Sequence, residues 1–307
     1  MRAAILFTDG VGVGPDDPST NPLARAAYLL SQFSNGSGTQ LPAGGTRHDV
    51  DTTFGLPGRP QSASNQTAIF TARPAPTLVG RHVLGYPNAP LRGLIATHSI
   101  VRRVTESGRS ATFANAYPAA YLDALGLKRR PSEGADLEIP ARFLRRLKAS
   151  ASTLAMSAGG VELRTLDDAR HDEGLTHDVD GSSAARRHLV VPARSPKEAA
   201  AIFWKLSADF TLFEHYLADE AGHAQDHAAA EQALRTFDDF ARAVIAMKPP
   251  DCHVLICSDH GNVEDLSTRS HTRNPVAALS FGASTLPPLQ TVADVGAAAL
   301  AVMGVAA

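Results

Sequence analysis

Three aspartates and three histidines occupy the places in this chain where chemistry could be concentrated. Asp9 closes the apolar run from Ala3 to Thr8, and Asp259 and His260 close another, from His253 to Cys257. Asp219 and His223, four residues apart, follow a third run at 209–216, and His271 lies in the loop from Ser270 to Pro275. Continuous apolar runs of this length read as strands buried on both faces of a parallel sheet. Ligands in open α/β sheets gather at the carboxyl ends of such strands. The six side chains offer only oxygen and imidazole donors. Carboxylates buried together without partners are strongly unfavourable, whereas divalent cations turn the cluster into a site. Six donors are too many for one tetrahedral ion and suit a pair about 3.5–4 Å apart, as in many phosphatases. Mixed carboxylate and imidazole donors suit Mn²⁺ or Zn²⁺ and disfavour an all-oxygen Mg²⁺ site. Taken singly, each strand-end aspartate is more simply a helix cap, and only the convergence argues for metal.

The elements that must position these groups alternate at both ends of the chain. After the first strand, Asn21 and Pro22 supply an N-cap and a first-turn proline for a helix through about Phe33. Residues 34–60, rich in Gly, Ser, Thr and Pro, read as a long loop, and Ser62 to Thr71 as a short helix. The middle differs: a helix near 91–106, a strand at 110–114, a helix near 118–126, a basic helix near 139–150, and a polar stretch at 165–188. Alternation then resumes. Ser195 to Glu198 forms a capping box opening a helix to about Ser207, followed by the strand at 209–216 and a helix at 227–247. The strand ending at Cys257, one near 276–281 and a last helix at 291–303 complete the chain. The expected fold is α/β, a doubly wound and mainly parallel sheet with a smaller inserted cap. The catalytic core would span 1–86 and 195–307, and the cap 87–194.

Ser62 stands at the N-terminus of its helix, where unpaired N–H groups and the helix dipole favour a phosphate or an alkoxide. Thr8-Asp9-Gly10, Gln61-Ser62-Ala63-Ser64-Asn65, Asp219 to His223, Ser258 to Asn262 with Glu264, and His271 to Val276 stand in a telling order. In order and spacing they resemble the alkaline phosphatase superfamily, in the branch of cofactor-independent phosphoglycerate mutase and phosphopentomutase. The resemblance covers roughly residues 1–85 and 195–305. It implies one cation on Asp219, His223 and His271, and another on Asp9, Asp259, His260 and the Ser62 oxygen, with manganese preferred and zinc possible. It also implies phosphoryl transfer through a phosphoserine at Ser62. The mutases carry Gly-His after the nucleophile, where this chain has Asn65-Gln66, and the insert here is smaller. The expected activity is therefore hydrolysis of a small phosphate ester. A phosphosugar or phosphoglycerate mutase is the alternative, and a non-catalytic metal-binding protein the remaining one.

Arg59, Arg73 and Arg273, with Asn65, are candidate substrate contacts, because an arginine fork makes paired hydrogen bonds to phosphate oxygens. The basic cluster Arg142, Arg145, Arg146 and Lys148 reads as a solvated face, and the run from Asp167 to Asp180 as a solvated acidic loop. A dinucleotide site is set aside because Gly10 to Gly14 fails the G-x-G-x-x-G spacing, and a serine-hydrolase triad because no G-x-S-x-G elbow is present. A net charge of -2 gives no basic face for nucleic acid or an anionic membrane, and no apolar run reaches bilayer length. Cys252 and Cys257, five apart in one strand, should point to opposite faces and not pair. A cytoplasmic enzyme acting on a small phosphorylated molecule is the expectation.

Overall fold

The alternation of side chains along the first strand sets the architecture. In a computed structural model describing residues 1–133, 139–186, 188–283 and 286–306, Ala3, Ile5 and Phe7 join one apolar cluster, and Ala4 and Leu6 another. A strand with apolar groups on both faces must be covered on both.

The first half contains β1 (Arg2–Thr8), β2 (Gly45–Val50), α1 (Ser62–Thr71), α2 (Ala75–Val79), α3 (Ala89–His98), α4 (Ile100–Glu106) and β3 (Ala111–Phe113). Short elements follow: β4 (Ala116–Tyr117), α5 (Ala119–Ala124), α6 (Ala141–Leu144), α7 (Ala151–Ala158), β5 (Arg164–Thr165), α8 (Leu166–Arg170) and α9 (Ser182–Arg186). The chain ends with α10 (Pro196–Leu206), β6 (Phe210–His215), α11 (Leu217–Ala224), α12 (His227–Ala246), β7 (Cys252–Cys257), β8 (Val276–Phe281) and α13 (Val292–Met303).

Six strands form one sheet in the order β2-β8-β7-β1-β6-β3. β7, β1, β6 and β3 run parallel, and β8 and β2 add an antiparallel edge. Side chains from α1, α3, α4, α7 and α13 fill one apolar cluster, and those from α10, α11 and α12 the other, so the expected doubly wound α/β fold is present. Cys252 and Cys257 fall in opposite clusters, unpaired, as the odd spacing requires. From the stretch 87–194, β3 joins the main sheet and α3, α4 and α7 join its covering layer. The two-stranded β4-β5 sheet with α8 stands apart on its own small apolar cluster. Among the described residues no helix is long and apolar enough to cross a membrane.

Four local expectations are corrected. The helix from Asn21 to Phe33 is a single 3₁₀ turn, Pro22–Arg25, capped as expected by Asn21. Tyr28, Leu29, Leu30 and Phe33 are all buried, and no single helix face could bury three consecutive residues. The loop at 34–60 contains β2, whose partly exposed residues suit an edge strand and carry no apolar alternation. The helix at 91–106 breaks at Ser99, whose hydroxyl accepts from the Val101 amide and donates to the Ala155 carbonyl. The basic helix at 139–150 shrinks to α6, because Ser150 caps α7 instead.

Phe213 is fully buried in β6, its ring 4.8 Å from that of Phe240 on α12. Phe213→Ala should lower unfolding free energy by about 3–5 kcal/mol in chemical denaturation, through lost burial and the cavity left behind. A cost under about 1 kcal/mol would mean that this layer does not hold the sheet.

Candidate active site

Register brings the chemistry together. Thr8 lies beside His215 and Phe7 beside Cys257, so β1, β6 and β7 end at one edge. Asp9 leaves β1 there, with its amide donating to the His215 carbonyl at 2.8 Å. Gly10 follows with φ +74°, and a Cβ at that position would lie 2.6 Å from Asp219 Oδ1. Only glycine accepts both the left-handed turn and that approach. Asp259 and His260 leave β7 beside Asp9. Asp219 and His223 sit one turn apart on α11, which places them on the same helix face. His271 arrives from the loop before β8. All six expected ligands therefore converge.

They divide into two groups, Asp219 with His223 and His271, and Asp9 with Asp259 and His260, each with donor atoms within 4.8 Å of one another. In the first, His223 Nε2 lies 3.3 Å from Asp219 Oδ2, and His271 Nε2 lies 3.6 Å from Asp219 Oδ1 and 3.2 Å from His223 Nε2. His223 Nδ1 faces the Arg269 carbonyl at 2.7 Å, and His271 Nδ1 the Pro60 carbonyl at 2.8 Å. A carbonyl only accepts, so each Nδ1 carries a proton, and the neutral rings point two Nε2 lone pairs at each other and at a carboxylate. A divalent cation resolves that clash. In the second group, His260 Nε2 lies 3.4 Å from Asp9 Oδ1, 3.3 Å from Asp259 Oδ2 and 2.9 Å from Ser62 Oγ. Asp9 Oδ1 is buried with no hydrogen-bond donor, an acceptor aimed at the same point. Both groups fit divalent cations.

The electrostatics agree. Burial, then the Asp259 charge, pushes Asp9 well above the usual carboxylate range, and burial pushes Asp259 up to about 6. Burial also lowers His260 and His271 to about 4. Asp219 is the exception: burial, the largest single influence, opposes its charge, but the hydrogen bonds from His223 and Asn262 together with the nearby His260 and His271 outweigh it and hold the carboxylate low. The hydrogen bond to Asp219 raises His223 to about 9, so without a cation a proton takes its place there.

The sequence singles out Asn262 and Glu264 as motif residues without their roles, and Gln66 not at all as a support. Gln66 Nε2 donates to Asp9 Oδ2 and to Asp259 Oδ2, both at 3.1 Å, from one turn beyond Ser62 on α1. That i,i+4 spacing was the available signal. Asn262 Nδ2 donates to Asp219 Oδ1 at 2.7 Å. Glu264, fully buried, accepts from the amides of Gly12 and Asn262 and from Thr272 and Asn274, and so ties together three of the loops that carry the ligands.

A cleft of about 700 Å³ opens over Asp9, Ser62, Gln66 and Asp219. None of the four expected substrate contacts is among its described lining residues. Arg59 is exposed outside it. Arg73 lies just past Ala72, the C-cap of α1, near Arg103. Arg273 donates to the Leu56 and Gly58 carbonyls and braces the loop before Ser62. Asn65 is buried, donating to the Thr52 and Asp259 carbonyls at 2.8 and 2.9 Å. The run from Asp167 to Asp180 is no solvated acidic loop: Asp168 caps α8, Asp178 accepts from the first amides of α9, and Asp172 pairs with Arg194.

Two outcomes are expected. Apparent affinity for Mn²⁺ should rise with pH and level off above about 9, since below that value the cation must displace the His223 proton, and at lower pH also protons held by the raised Asp9–Asp259 pair. Titration calorimetry in buffers of different ionisation enthalpy would show the released protons, and a pH-independent affinity would contradict the assignment. Gln66→Ala should weaken Mn²⁺ binding by about 10–100-fold, as loss of a ligand-orienting partner commonly does.

Residues 194–307 match the family model of the metalloenzyme superfamily. A 2,3-bisphosphoglycerate-independent phosphoglycerate mutase from Haloarcula marismortui is 33% identical over 99 residues, 28% of this chain and 19% of that protein. A phosphopentomutase from Deinococcus radiodurans is 34% identical over 106 residues, 33% of this chain and 27% of that one. The matched stretches thus span about a fifth to a quarter of the curated relatives. The alkaline phosphatase of the Antarctic bacterium TAB5 superposes with a TM-score of 0.55 over 99% of this chain and 98% of its own, at 14% identity. In fold along its whole length this chain resembles the TAB5 alkaline phosphatase, and in sequence over residues 194–307 it matches the metalloenzyme superfamily.

Proposed function

We propose that this protein is a phosphatase that hydrolyses a small phosphate monoester through a phosphoserine at Ser62, with two divalent cations, Mn²⁺ preferred and Zn²⁺ possible. The observation that carries the reading is Ser62 Oγ at 2.9 Å from His260 Nε2, on the cleft side of two three-residue ligand groups. Bound there, the cations would neutralise phosphoryl charge and lower the pKa of the serine hydroxyl.

The chain's own residues do the rest. Gln61 caps α1 without a side-chain hydrogen bond, which leaves the first turn of the helix to face an anion at Ser62. Ser62 Oγ attacks phosphorus in line, so that the Oγ–P bond forms as the P–O bond to the alcohol breaks. Water then cleaves the Oγ–P bond and releases inorganic phosphate. Gln66 holds Asp9 and Asp259 in place, and Asn262 holds Asp219. Of the stretch 87–194 expected as a cap, the parts outside the main sheet and its covering helices would form a cap beside the cleft, to which Tyr117, Tyr121, Leu147 and Ser150 already contribute.

Two mutases among the relatives support the alternative, phosphoryl return to a second hydroxyl of the same molecule. Hydrolysis is favoured because no lysine or arginine is among the described lining residues of the cleft. A mutase must retain the dephosphorylated intermediate, and a phosphoglycerate carboxylate would find no cation on this wall. ³¹P NMR of the Mn²⁺-loaded protein with a panel of phosphate esters separates the two. Growth of free phosphate is expected. A shifted ester resonance without free phosphate would establish the mutase. Ser62→Ala should abolish turnover and leave the bound-metal count unchanged by elemental analysis.

A further inference from the structure

Above the ligand groups the cleft changes character. Its wall carries Tyr86, Tyr117, Tyr121 and Tyr216, four of the five tyrosines in the chain. Pro118, Ile139, Pro140 and Leu147 fill the spaces between them. Several of the rings are already fixed. Tyr117 stacks on Tyr121 with centroids 5.9 Å apart, and Tyr216 lies against His177 at 4.0 Å. Tyr121 donates its hydroxyl to the Lys148 carbonyl at 2.8 Å. Rings held in this way lose little freedom when a ligand packs on them.

The polar content of the same wall is small and acidic. Glu214 and Glu220 line it, with Ser150, and among its described residues there is no lysine or arginine. Glu214 Oε2 already accepts from Ser152 at 2.6 Å and from Tyr117 at 3.4 Å. Arg142, Arg145, Arg146 and Lys148 belong to the segment that supplies Leu147, but their side chains are exposed and do not line the cleft. Gly134 to Glu138, which precede Ile139, contain no basic residue.

From this wall we infer that the alcohol half of the substrate is an uncharged, planar aromatic group, seated against Tyr86, Tyr117 and Tyr121. A ring of that kind gains apolar area and favourable ring–ring geometry. A sugar would surrender its hydration to a wall with few groups to replace it. A carboxylate or second phosphate would meet Glu220, and Glu214 whose burial raises it to about 7, with no lysine or arginine among the described lining residues to attract it. The volume of about 700 Å³ fits a drug-sized ester. The inference rests on the phosphatase reading for the phosphoryl end and extends it to the organic end.

Equilibrium binding to Mn²⁺-loaded Ser62→Ala, measured by calorimetry, tests it without turnover. The probes are inorganic phosphate, phenyl phosphate, ribose 5-phosphate and 3-phosphoglycerate. Phenyl phosphate should bind about tenfold or more tighter than each of the others. Tyr86→Ala, at an exposed rim position, and Tyr121→Leu should each reduce the ratio of phenyl phosphate to inorganic phosphate affinity by about threefold or more. Binding of inorganic phosphate with ribose 5-phosphate or 3-phosphoglycerate equal to or tighter than phenyl phosphate would overturn the inference alone. Failure of all four probes, inorganic phosphate included, would overturn the phosphoryl-transfer reading beneath it.

Discussion

Two imidazole nitrogens that face each other, Nε2 of His223 and Nε2 of His271 at 3.2 Å, set the constraint on which the rest of the site depends. Each ring is turned by a backbone carbonyl on its other nitrogen, so neither can rotate its lone pair away without giving up a hydrogen bond. Asp219 faces the same point. Such a cluster persists only if something positive sits in it, and without a cation the Asp219 hydrogen bond raises His223, which favours a proton there. The second group has a similar imbalance, with Asp9 Oδ1 buried and without a donor, and Asp9 and Asp259 both shifted upward by burial.

Holding these charges together falls to the parts around them. The aligned ends of β1, β6 and β7 deliver Asp9, α11 and Asp259 to one edge. Gly10 lets the chain turn against Asp219, and Glu264 gathers the loops from below. The two apolar clusters make the sheet stiff enough to keep those positions, since packed interiors resist small displacements. Catalytic geometry and core packing are in this sense one problem: the strands that bury Phe7 and Phe213 also aim the ligands.

Much of this was legible in the chain because the information is local. Five ligands, Asp9, Asp219, His223, Asp259 and His260, sit at the end of an apolar run or within one helical turn of a partner and could be named from spacing, whereas His271 stands in a loop and joined them through its motif. The strands β1, β6, β7 and β8, and the helices α10, α12 and α13, follow from long apolar periods and, for α10, a capping box. What was not legible depends on contacts between distant segments. Gln66 acts only because α1 docks against both Asp9 and Asp259. The tyrosine wall draws on positions 86, 117, 121 and 216, which nothing in the sequence connects. The helix expected through Phe33 failed because Tyr28, Leu29 and Leu30 are drawn into the core together, a tertiary demand that overrides a good N-cap. The arginines expected as phosphate partners stand out by type and by nearness in sequence to Ser62 and His271, which does not fix where their side chains reach, and Arg273 serves a loop instead.

The central claim is that two cations occupy the two ligand groups, one of them beside Ser62. Anomalous diffraction at the manganese edge from crystals grown with Mn²⁺ tests it most directly. Two peaks about 3.5–4 Å apart are predicted, one among Asp219, His223 and His271 and the other among Asp9, Asp259 and His260, within bonding distance of Ser62 Oγ. A single peak, or peaks away from these residues, would contradict the account.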